Sequence, residues 1–481
     1  MVIGFGISGR AAASALAAEG AEVRVSEARS QSELEAWADR VEGAERAAVG
    51  PLEEVEVLAG GHRPEHLDGA TLVVVSPGVP QGADVLDWAR RRGLPIWSEL
   101  ELGARLCRVP YVAVTGTNGK TTTVELVAAM MRAAGLSAAA CGNVGYPFSV
   151  AARDGALGAL AVECSSFQLA FQRSLHPKVS VLLNLAPDHL DWHGTFAEYV
   201  AAKARVFAGQ EQGDTHVGNR DEPEAARVSR EAPCAVRWFG SGRPSPGDVG
   251  VEAGHIVTAS LETEAPDAGI LTDLGSPASR HPSFVIDAAA AAAAGLAFGL
   301  PADAVGTAIR SFAPLPHRGA VVAEVGSMRF VDDSKATNPH AALAALEGLK
   351  DAVLIAGGLA KGVDLSPMAS AAGSLAGVVA IGEAAPEVAM VFDGLVPVLR
   401  ASSIEEAVEI AYGATPVGGT VILAPACASQ DMFRDYRERG ERFAAAARSV
   451  VARVRATSAA GEPNGGPSLV TNHRHDGRTR A

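Results

Sequence analysis

Residues 109–131, VPYVAVTGTNGKTTTVELVAAMM, decide how the rest of the chain is organised. An apolar run that includes Val112 and Val114 breaks into a glycine-bearing loop, and a long helical pattern follows it. This order predicts a buried strand, a phosphate-binding loop and a helix. Gly116 and Gly119 let the backbone turn and approach a ligand closely, so that successive N–H groups can surround phosphate oxygens. The stretch therefore predicts a nucleoside triphosphate site.

Two side chains of this stretch suit the chemistry of a triphosphate. Lys120 supplies a cation for the terminal phosphates, and Thr121 is a natural hydroxyl ligand for the accompanying magnesium ion. Val114 stands where the strict G-x-x-x-x-G-K-[ST] pattern has its first glycine, so a search for that pattern alone misses the loop. The alternative is a Gly-Lys turn before an ordinary helix, which the order of strand, loop and helix disfavours.

The length and composition of the chain limit the classes of protein to consider. A chain of 481 residues is expected to form three domains, because domains usually contain about 100 to 200 residues. The hydrophobic content of 48% is typical of a globular protein, and the net charge of −14 offers no basic surface for nucleic acid. Five cysteines without paired spacing favour reduced thiols over disulfides or a zinc site. No secretion signal or long apolar segment is recognisable, so a cytoplasmic protein is expected.

The N-terminal stretch MVIGFGISGRAAASALAAEGAEVRVSEAR predicts a strand, a G-x-G-x-x-G loop at residues 4–9, a helix and a second strand ending at Ser26. This is a Rossmann-like beginning. Because Glu27 lies near the usual ribose position, a nicotinamide cofactor is the default interpretation of the pattern alone. The first strand is short, which leaves open a start upstream of Met1.

Strands and helices alternate again from Val112, which predicts a second parallel sheet covered by helices. The strand LGALAVE ends at Glu163, and ligands gather at the carboxyl ends of parallel strands. Glu163 is therefore a candidate magnesium partner of Thr121, and the alternative is a solvated glutamate at a strand end. Asn143 lies between glycines in a loop expected beside the phosphate site.

The stretch APDHLDWHGTFAEYVAAKARVF contains two further candidates. His189 lies close to the end of a predicted strand, and Lys203 lies on a helix whose apolar neighbours, including Tyr199 and Phe207, mark an inward face. An ammonium group near magnesium repels the metal. From the residues alone, Lys203 is interpreted as a surface lysine whose charged end reaches the solvent.

The second half of the chain contains fewer residues that indicate a specific chemistry. Residues 210–280 are predicted to be loop-rich and polar, and an alanine-rich helix is predicted to begin at Asp287. After PLPHRG, strands and helices alternate once more, so the predicted fold is α/β with three consecutive domains and mainly parallel sheets. The polar tail should be disordered, and its His473 and His475 are interpreted as inert. The predicted limits are 1–109, 110–313 and 314–455 for the domains and 456–481 for the tail.

Several motifs resemble those of one family. The loop G-T-N-G-K-T-T resembles that of the Mur ligases, a family that includes folylpolyglutamate synthase. Within the family, S-S-F-Q-L, D-D-S-K-A-T-N and P-A-C-A-S resemble the branch that adds D-glutamate to UDP-N-acetylmuramoyl-L-alanine. The resemblance covers nearly the whole chain outside residues 210–280 and the tail.

The resemblance implies an activity and its ligands. It implies an ATP-dependent ligase of peptidoglycan precursor synthesis that works through an acyl phosphate, with ATP and two magnesium ions. The expected partners are these small substrates, with no nucleic acid or membrane, and the expected state is a monomer. The first domain would bind the UDP-substrate, the second ATP and the third the incoming amino acid, and the third domain would close to complete the site.

The resemblance also assigns residues. Catalytic roles fall on Lys120, His189 and Lys203. One magnesium ion would be held by Thr121 and Glu163, and the second by His189 and Lys203, with the lysine carbamylated. The ATP site would comprise Gly116, Thr117, Asn118, Gly119, Lys120, Thr121, Thr122, Arg318 and Asp333. Family members usually carry asparagine at Asp287, in an H-N-x-x-N pattern that is broken here because His281 is out of register. An adenine contact by Asp287 therefore stays open.

Two further groups of residues follow from the resemblance. The UDP-substrate would contact Ile7, Ser8, Gly9, Glu27, Ser76 and Asn143. D-glutamate would contact Lys335, Thr337, Lys361, Ser429 and Tyr436, the last of which is often phenylalanine in the family. For Lys335 and Lys361 the alternative is a solvated surface charge.

Competing functions remain at this point. Another Mur-type ligase is disfavoured by D-S-K-A-T-N, and a folylpolyglutamate synthase is disfavoured by the Rossmann-like start. A nucleotide-binding module without catalysis is disfavoured by the presence of Lys120, Glu163, His189 and Lys203. A nicotinamide-dependent oxidoreductase gives no role to two of the three predicted sheets.

Overall fold

The structure, a computed structural model, describes residues 1–38, 55–259, 269–273, 282–313 and 315–459. The strands in these residues form three sheets in which most neighbouring strands run parallel, with helices between them. The predicted α/β fold class is confirmed. The chain divides after residue 314 into two compact units, of which the first contains two sheets and the second contains one.

The first sheet has five parallel strands within the described residues. Their spatial order is Glu56–Leu58, Arg24–Ser26, Val2–Ile3, Val73–Val75 and Ile96–Ser98. The accompanying helices are Ile7–Ala18, Gln31–Ala38, the short 3₁₀ helix Pro64–Leu67, Asp84–Arg91 and Glu99–Leu106. The order of strands reverses at Val2–Ile3, and a ligand crevice is expected at the carboxyl end of the strand where this happens.

The central sheet has nine strands in the described residues, of which seven consecutive strands pair in parallel and two more are added at one edge through antiparallel pairing. Their spatial order is Ala138–Gly142, Ala159–Glu163, Tyr111–Thr115, Val179–Leu182, Thr215–Asn219, Ala235–Ser241, Val249–Glu252, His255–Thr258 and Gly269–Asp273. For residues 210–259 and 269–273, the described part of the stretch 210–280, the prediction of a loop-rich chain was wrong. Short strands there contribute Val217, Phe239 and Ile256 to the same core as the phosphate-loop helix.

Helices cover the central sheet on both faces. Their bounds are Lys120–Ala133, Phe148–Ala151, Ser166–Ala170, Leu190–His193, Phe196–Ala204, Pro223–Ser229, Pro282–Phe298 and Ala302–Ser311. The alanine-rich helix therefore begins at Pro282, five residues before the predicted start at Asp287. Its run Ala288–Ala294 is buried against the core that includes Val124 and Val127 of the phosphate-loop helix. Because alanine side chains are small, the two helices can approach each other closely.

The third sheet has six strands in the described residues, with one antiparallel pair at an edge. Their spatial order is Ala320–Val325, Met328–Asp332, Thr420–Leu423, Ala352–Gly357, Leu375–Ile381 and Val398–Arg400. The helices are Pro339–Leu346, the 3₁₀ helix Ser366–Ser374, Ala385–Phe392, Ile404–Ala414 and Tyr436–Ala459. The last helix passes the predicted start of the tail at residue 456. Among the described helices, none is long and apolar enough to cross a lipid bilayer.

Some predictions fall outside the described residues. These are the disorder of residues 460–481, the two tail histidines His473 and His475, and the position of His281.

Candidate active site

The phosphate loop lies between the strand Tyr111–Thr115 and the helix Lys120–Ala133. A neighbouring loop holds its backbone: the Thr117 N–H donates to the Asn184 carbonyl oxygen at 3.0 Å. The Asn118 N–H donates to Oδ1 of the same asparagine at 2.8 Å. Asn184 was not singled out in the sequence, because nothing local distinguishes an asparagine after a strand. These hydrogen bonds hold the phosphate loop against the end of the neighbouring strand.

The two glycines of the loop are required by the backbone and its neighbours. Gly119 has φ of +82°, and a Cβ atom there would lie 2.1 Å from Oδ1 of Asp287. A Cβ atom at Gly116 would lie 2.8 Å from the Leu183 Cβ atom. Asp287 therefore lies against the phosphate loop, and its contact with adenine stays a prediction.

Replacement of Gly119 by alanine is expected to weaken ATP binding about tenfold, because a side chain in the left-handed region costs about 1–2 kcal/mol and the loop would shift to relieve it. Calorimetric titration with ATP measures the change. The double variant Gly119→Ala, Asp287→Ala is the control that removes the clash but keeps the backbone strain. Unchanged ATP affinity in the single variant would contradict the assignment of the loop.

The hydroxyl group of Thr117 is used within the protein. It donates to the Ala186 carbonyl oxygen at 3.1 Å, accepts from the Ala186 N–H at 3.0 Å and lies 2.9 Å from the Tyr199 hydroxyl. Thr117 thus anchors the loop to the helix Phe196–Ala204. The side chain of Thr122 is also buried, at 6% exposure. Contacts of these two threonines with ATP remain predictions.

Two lysines meet at one carbonyl group of the phosphate loop. Lys120 Nζ donates to the carbonyl oxygens of Gly116 at 2.9 Å and Thr117 at 2.8 Å. Lys203 Nζ donates to the same Gly116 oxygen at 2.6 Å, and Lys203 is only 2% exposed. The interpretation of Lys203 as a surface lysine was wrong. Burial, and then the charge of Lys120, hold the pKa of the Lys203 ammonium well below its usual range.

Glu163 lies beside the first helical turn after the phosphate loop. The Thr121 hydroxyl donates to Glu163 Oε2 at 2.7 Å, and Asn143 Nδ2 donates to Oε1 at 3.0 Å. Glu163 is 3% exposed, so the alternative of a solvated glutamate was wrong. Gly142 permits this packing, since a Cβ atom there would lie 2.3 Å from the Glu163 carbonyl oxygen.

The hydroxyl and carboxylate oxygens of Thr121 and Glu163 fit a magnesium site, because magnesium prefers oxygen ligands and takes some of them from phosphate and water. Within the described part of the chain, no group of three His, Cys, Asp or Glu side chains could hold a metal ion. The second predicted set, His189 and Lys203, fits only if Lys203 is modified, since an ammonium group cannot ligate a cation.

His189 begins the short helix Leu190–His193 in a left-handed conformation, with φ of +54°. Its ring lies 4.7 Å from the ring of Phe167, which also stacks on His193 at 5.7 Å. His193 Nε2 lies 2.9 Å from the Ser166 hydroxyl. Burial and the neighbouring His189 lower the pKa of His193 to about 4, so its imidazole is neutral. The S-S-F-Q-L motif thus orients the residues around His189, a role that the sequence alone did not reveal.

The N-terminal glycine loop forms a second candidate site at the carboxyl ends of the first sheet. Ile7, Ser8 and Gly9 form the first turn of the helix Ile7–Ala18, and a Cβ atom at Gly9 would lie 1.9 Å from the Gly4 carbonyl oxygen. The Ser76 hydroxyl donates to the same Gly4 oxygen at 3.0 Å. These predicted UDP-site residues are therefore brought together, whereas Asn143 lies beside Glu163.

Glu27 was also predicted to contact the UDP-substrate, and in the structure its carboxylate is engaged by other residues of the chain. It accepts the Phe5 N–H at 2.6 Å, and the Arg29 guanidinium lies 2.9 Å from Oε2. Burial alone would raise the pKa of Glu27, but these hydrogen bonds lower it to about 2. Arg29 and Phe5 were not singled out in the sequence.

The second unit contains the residues predicted to bind the amino acid. Lys335 Nζ lies 3.8 Å from the centre of the Tyr436 ring, and the Thr337 N–H donates to the Lys335 carbonyl oxygen at 2.8 Å. Ser429 is 2% exposed, and Lys361 has φ of +54°. The contacts of these residues with an amino acid stay predictions.

Two residues of this unit were predicted to contact ATP. Burial raises the pKa of Asp333 to about 7, although the charge of Arg318 opposes the shift. His317, which the sequence did not single out, has φ of +61°, and its Nδ1 lies 2.7 Å from Asp332 Oδ2. Positive φ values at His317, Lys361 and Ala426 place strained backbone in the motifs of this unit.

Known solved structures share this architecture. A pseudomurein peptide ligase type C from Methanothermus fervidus superposes with a TM-score of 0.58 at 17% identity, covering 94% of this chain and 99% of that chain. A MurF ligase from Thermotoga maritima in complex with ADP superposes with a TM-score of 0.54 at 18% identity, covering 80% of this chain and 96% of the other. At such identities the likeness shows the fold alone.

Related sequences match this chain along most of its length. Three family descriptions match this chain: "Mur ligase MurD-like, N-terminal domain" over residues 1–98, "Mur ligase middle domain" over 114–265 and "Mur ligase, glutamate ligase domain" over 317–427. A UDP-N-acetylmuramoylalanine--D-glutamate ligase of Frankia casuarinae is 42% identical over 93% of this chain and 93% of the relative. One from Acidobacterium capsulatum is 38% identical over 92% of this chain and 94% of the relative. The phosphate loop with its two lysines at Gly116 agrees with these matches. Because the matches extend along nearly its whole length, this chain belongs to the Mur ligase family.

Proposed function

We propose that this chain is an ATP-dependent ligase that adds D-glutamate to UDP-N-acetylmuramoyl-L-alanine in peptidoglycan precursor synthesis. The observation that carries the proposal is the convergence of Lys120 and Lys203 on the Gly116 carbonyl oxygen, beside a phosphate loop whose Thr121 is bonded to Glu163. The names of the relatives supply the substrate pair.

The chemistry requires activation of a carboxylate, which is a poor electrophile. Its oxygen attacks the terminal phosphorus of ATP, ADP leaves, and an acyl phosphate forms. The amino group of the incoming amino acid then attacks the acyl carbon through a tetrahedral intermediate, and inorganic phosphate leaves. Precedent for phosphoryl transfer indicates that positioning and charge stabilisation provide most of the acceleration.

The residues of the first unit have defined tasks in this proposal. Lys120 places a positive charge beside the transferred phosphoryl group, and the backbone of residues 116–119 orients the phosphates. Thr121 and Glu163 would hold one magnesium ion, and His189 with a carbamylated Lys203 would hold a second. Bound magnesium would neutralise phosphate charge during the transfer.

The remaining ligands are assigned to the other two sheets. The glycine loop with Ile7, Ser8, Gly9 and Ser76 would bind the diphosphate of the UDP-substrate at a helix N-terminus. Lys335, Lys361 and Ser429 would contact the carboxylates of D-glutamate. We retain the domain limits 1–109 and 110–313, and we extend the third domain from 314 to the end of its last helix at residue 459.

We also propose that the chain works as a monomer in the cytoplasm. A ligase that consumes ATP and a UDP-sugar must act where both nucleotides are available. Size-exclusion chromatography with light scattering tests the monomer, and a dimer at working concentration would contradict it.

The test of the function follows ADP and phosphate release with UDP-N-acetylmuramoyl-L-alanine and each of D-glutamate, L-glutamate, meso-diaminopimelate and L-alanine. Only D-glutamate is expected to support turnover. Turnover with one of the other amino acids would identify a different Mur-type ligase. Turnover with a folate in place of the UDP-substrate would identify a folylpolyglutamate synthase-like enzyme.

The N-terminal site is expected to bind UDP in preference to NADH, because its glycine loop suits any diphosphate while Glu27, the residue that would contact a nicotinamide nucleotide's ribose, is engaged by Phe5 and Arg29. Calorimetric titration of the whole chain with each nucleotide measures the preference. The variant Gly9→Ala is the control, since its Cβ atom would lie 1.9 Å from the Gly4 oxygen and should abolish the UDP signal. Micromolar NADH binding without UDP binding would overturn this assignment.

A further inference from the structure

A buried guanidinium group lies at the carboxyl ends of strands of the third sheet. Arg439, in the helix Tyr436–Ala459, is 0% exposed. Its Nε donates to the Ser334 hydroxyl at 3.0 Å, and its Nη2 donates to the Ser334 carbonyl oxygen at 2.8 Å. Its Nη1 donates to the carbonyl oxygens of Cys427 at 3.1 Å and Ala428 at 3.3 Å. Among the described residues, no carboxylate forms an ion pair with it.

These contacts join loops that follow different strands. Ser334 lies just after the strand Met328–Asp332, whereas Cys427 and Ala428 follow the strand Thr420–Leu423. These strands are parallel neighbours in the sheet, so their carboxyl ends lie at one edge.

A third loop meets the same group. Gly358 follows the strand Ala352–Gly357, and a Cβ atom there would lie 3.3 Å from Arg439 Nη1 and 2.1 Å from the Ala428 carbonyl oxygen. Leu359 and Ala428 exchange backbone hydrogen bonds of 2.9 and 3.0 Å. One guanidinium group therefore lies where three loops converge.

Each of these loops carries one predicted amino-acid-binding residue. Lys335 follows Ser334 directly, Ser429 follows Ala428 directly, and Lys361 lies three residues after Gly358. We propose that Arg439 is a positioning residue that fixes the relative placement of Lys335, Lys361 and Ser429 and thereby sets the affinity for an amino acid with two carboxylates. This inference rests on the proposed function for the identity of that amino acid.

Arginine suits this position for a physical reason. Burial of a cation is costly, and for Arg439 the hydrogen bonds to Ser334, Cys427 and Ala428 and the charges of Asp431 and Asp332 offset that cost. Only a planar guanidinium with five donors can bind carbonyl groups of several loops at once, and lysine cannot reproduce that fork. Burial lowers the pKa of Arg439 to about 10, which still leaves it protonated at neutral pH.

The first experiment compares Arg439→Lys with Arg442→Lys. Arg442 lies three residues further along the same helix, is exposed, and pairs with Glu405 at 2.9 Å, so its replacement is a matched control. For Arg439→Lys we expect the KM for D-glutamate to rise about tenfold or more while the KM for ATP changes by less than about twofold. Arg442→Lys should leave both constants unchanged. An unaltered KM for D-glutamate in folded Arg439→Lys, or equal rises in both constants, would overturn the proposal.

A second variant tests the same role if Arg439→Lys fails to fold. Ser334→Ala removes a hydroxyl group that accepts from Arg439 Nε and donates to the Tyr436 carbonyl oxygen at 2.7 Å. It should raise the KM for D-glutamate in the same selective way, but less. Arg439→Ala should regain affinity for D-glutamate when guanidinium ion is added, and no rescue in a folded variant would argue against the role.

Hydrogen exchange of the substrate-free proteins separates this proposal from the proposed function. In Arg439→Lys, the amides of residues 334–337, 358–361 and 427–429 should exchange faster together, while those of Arg442→Lys should match the wild type. Faster exchange in only one loop, or in none, would overturn the positioning role. Absence of turnover with D-glutamate in the wild type would instead defeat the proposed function, and the exchange result would still decide the role of Arg439.

Discussion

Replacement of Lys120 by alanine is expected to leave the fold intact and to lower turnover about a hundredfold or more, by analogy with the loss of a charge-stabilising group. Lys120 Nζ donates to the carbonyl oxygens of Gly116 and Thr117, so its charge is held beside the phosphate loop. The backbone is fixed separately through Asn184. Steady-state ADP release measures the loss of activity, and thermal unfolding monitors the fold.

Lys178→Ala provides the matched control for this experiment. Lys178 belongs to the same unit, and its Nζ donates to the Phe298 carbonyl oxygen at 2.9 Å, away from the phosphate loop. Its removal should leave turnover nearly unchanged. If Lys120→Ala folds and turns over within a few-fold of the wild type, the phosphate loop has been misassigned.

The phosphate loop was predictable because its information is local. The glycines, Lys120 and Thr121 are adjacent in sequence, and the strand before them and the helix after them have clear apolar patterns. Glu163 was found for a similar reason, since the carboxyl end of a parallel strand is a general place for ligands. The same reasoning predicted the class of fold.

Features that depend on distant contacts were not predictable. Residues 210–280 lacked a visible pattern because their strands are short and separated by turns, yet Val217 and Ile256 join the central core. Arg439 lies in the charged run R-E-R-G-E-R, where nothing in the sequence separates a buried arginine from exposed ones. Arg439 is buried by three loops that lie far apart in sequence, near Ser334, Gly358 and Ala428.

The environment of Lys203 was only partly predictable from the sequence. Its apolar neighbours predicted that this face of the helix is buried, whereas the usual preference of lysine for solvent predicted an exposed side chain. In the structure the side chain is buried. The deciding contact joins Lys203 to Gly116, 87 residues away in sequence. The structure shows the burial of Lys203, and the family resemblance implies its carbamylation.

Lys203→Ala is expected to be nearly inactive and to regain part of its activity with acetate. In the proposal, carbamylation reverses the charge of Lys203 and supplies two oxygens suited to magnesium, and a small carboxylic acid can place oxygens in the vacated space. Carbamylation requires the neutral amine. Because burial and the charge of Lys120 lower the pKa of Lys203, that form is populated at lower pH than for an exposed lysine. The modified fraction should therefore rise with pH and with bicarbonate.

Two measurements separate a ligand role from a packing role. Rescue of Lys203→Ala should be largest for the smallest acids, whereas Lys120→Ala, which lacks a cation, should gain nothing from any of them. In wild-type enzyme supplied with ¹³C-labelled bicarbonate, a carbamate carbon signal should appear, and it should be absent from Lys203→Ala. Near-normal activity of Lys203→Ala would defeat the hypothesis, as would an unlabelled lysine in the fully liganded enzyme. Rescue of both lysine variants by acetate would mean that the acid acts elsewhere, because the same anion cannot replace both a cation and a carbamate.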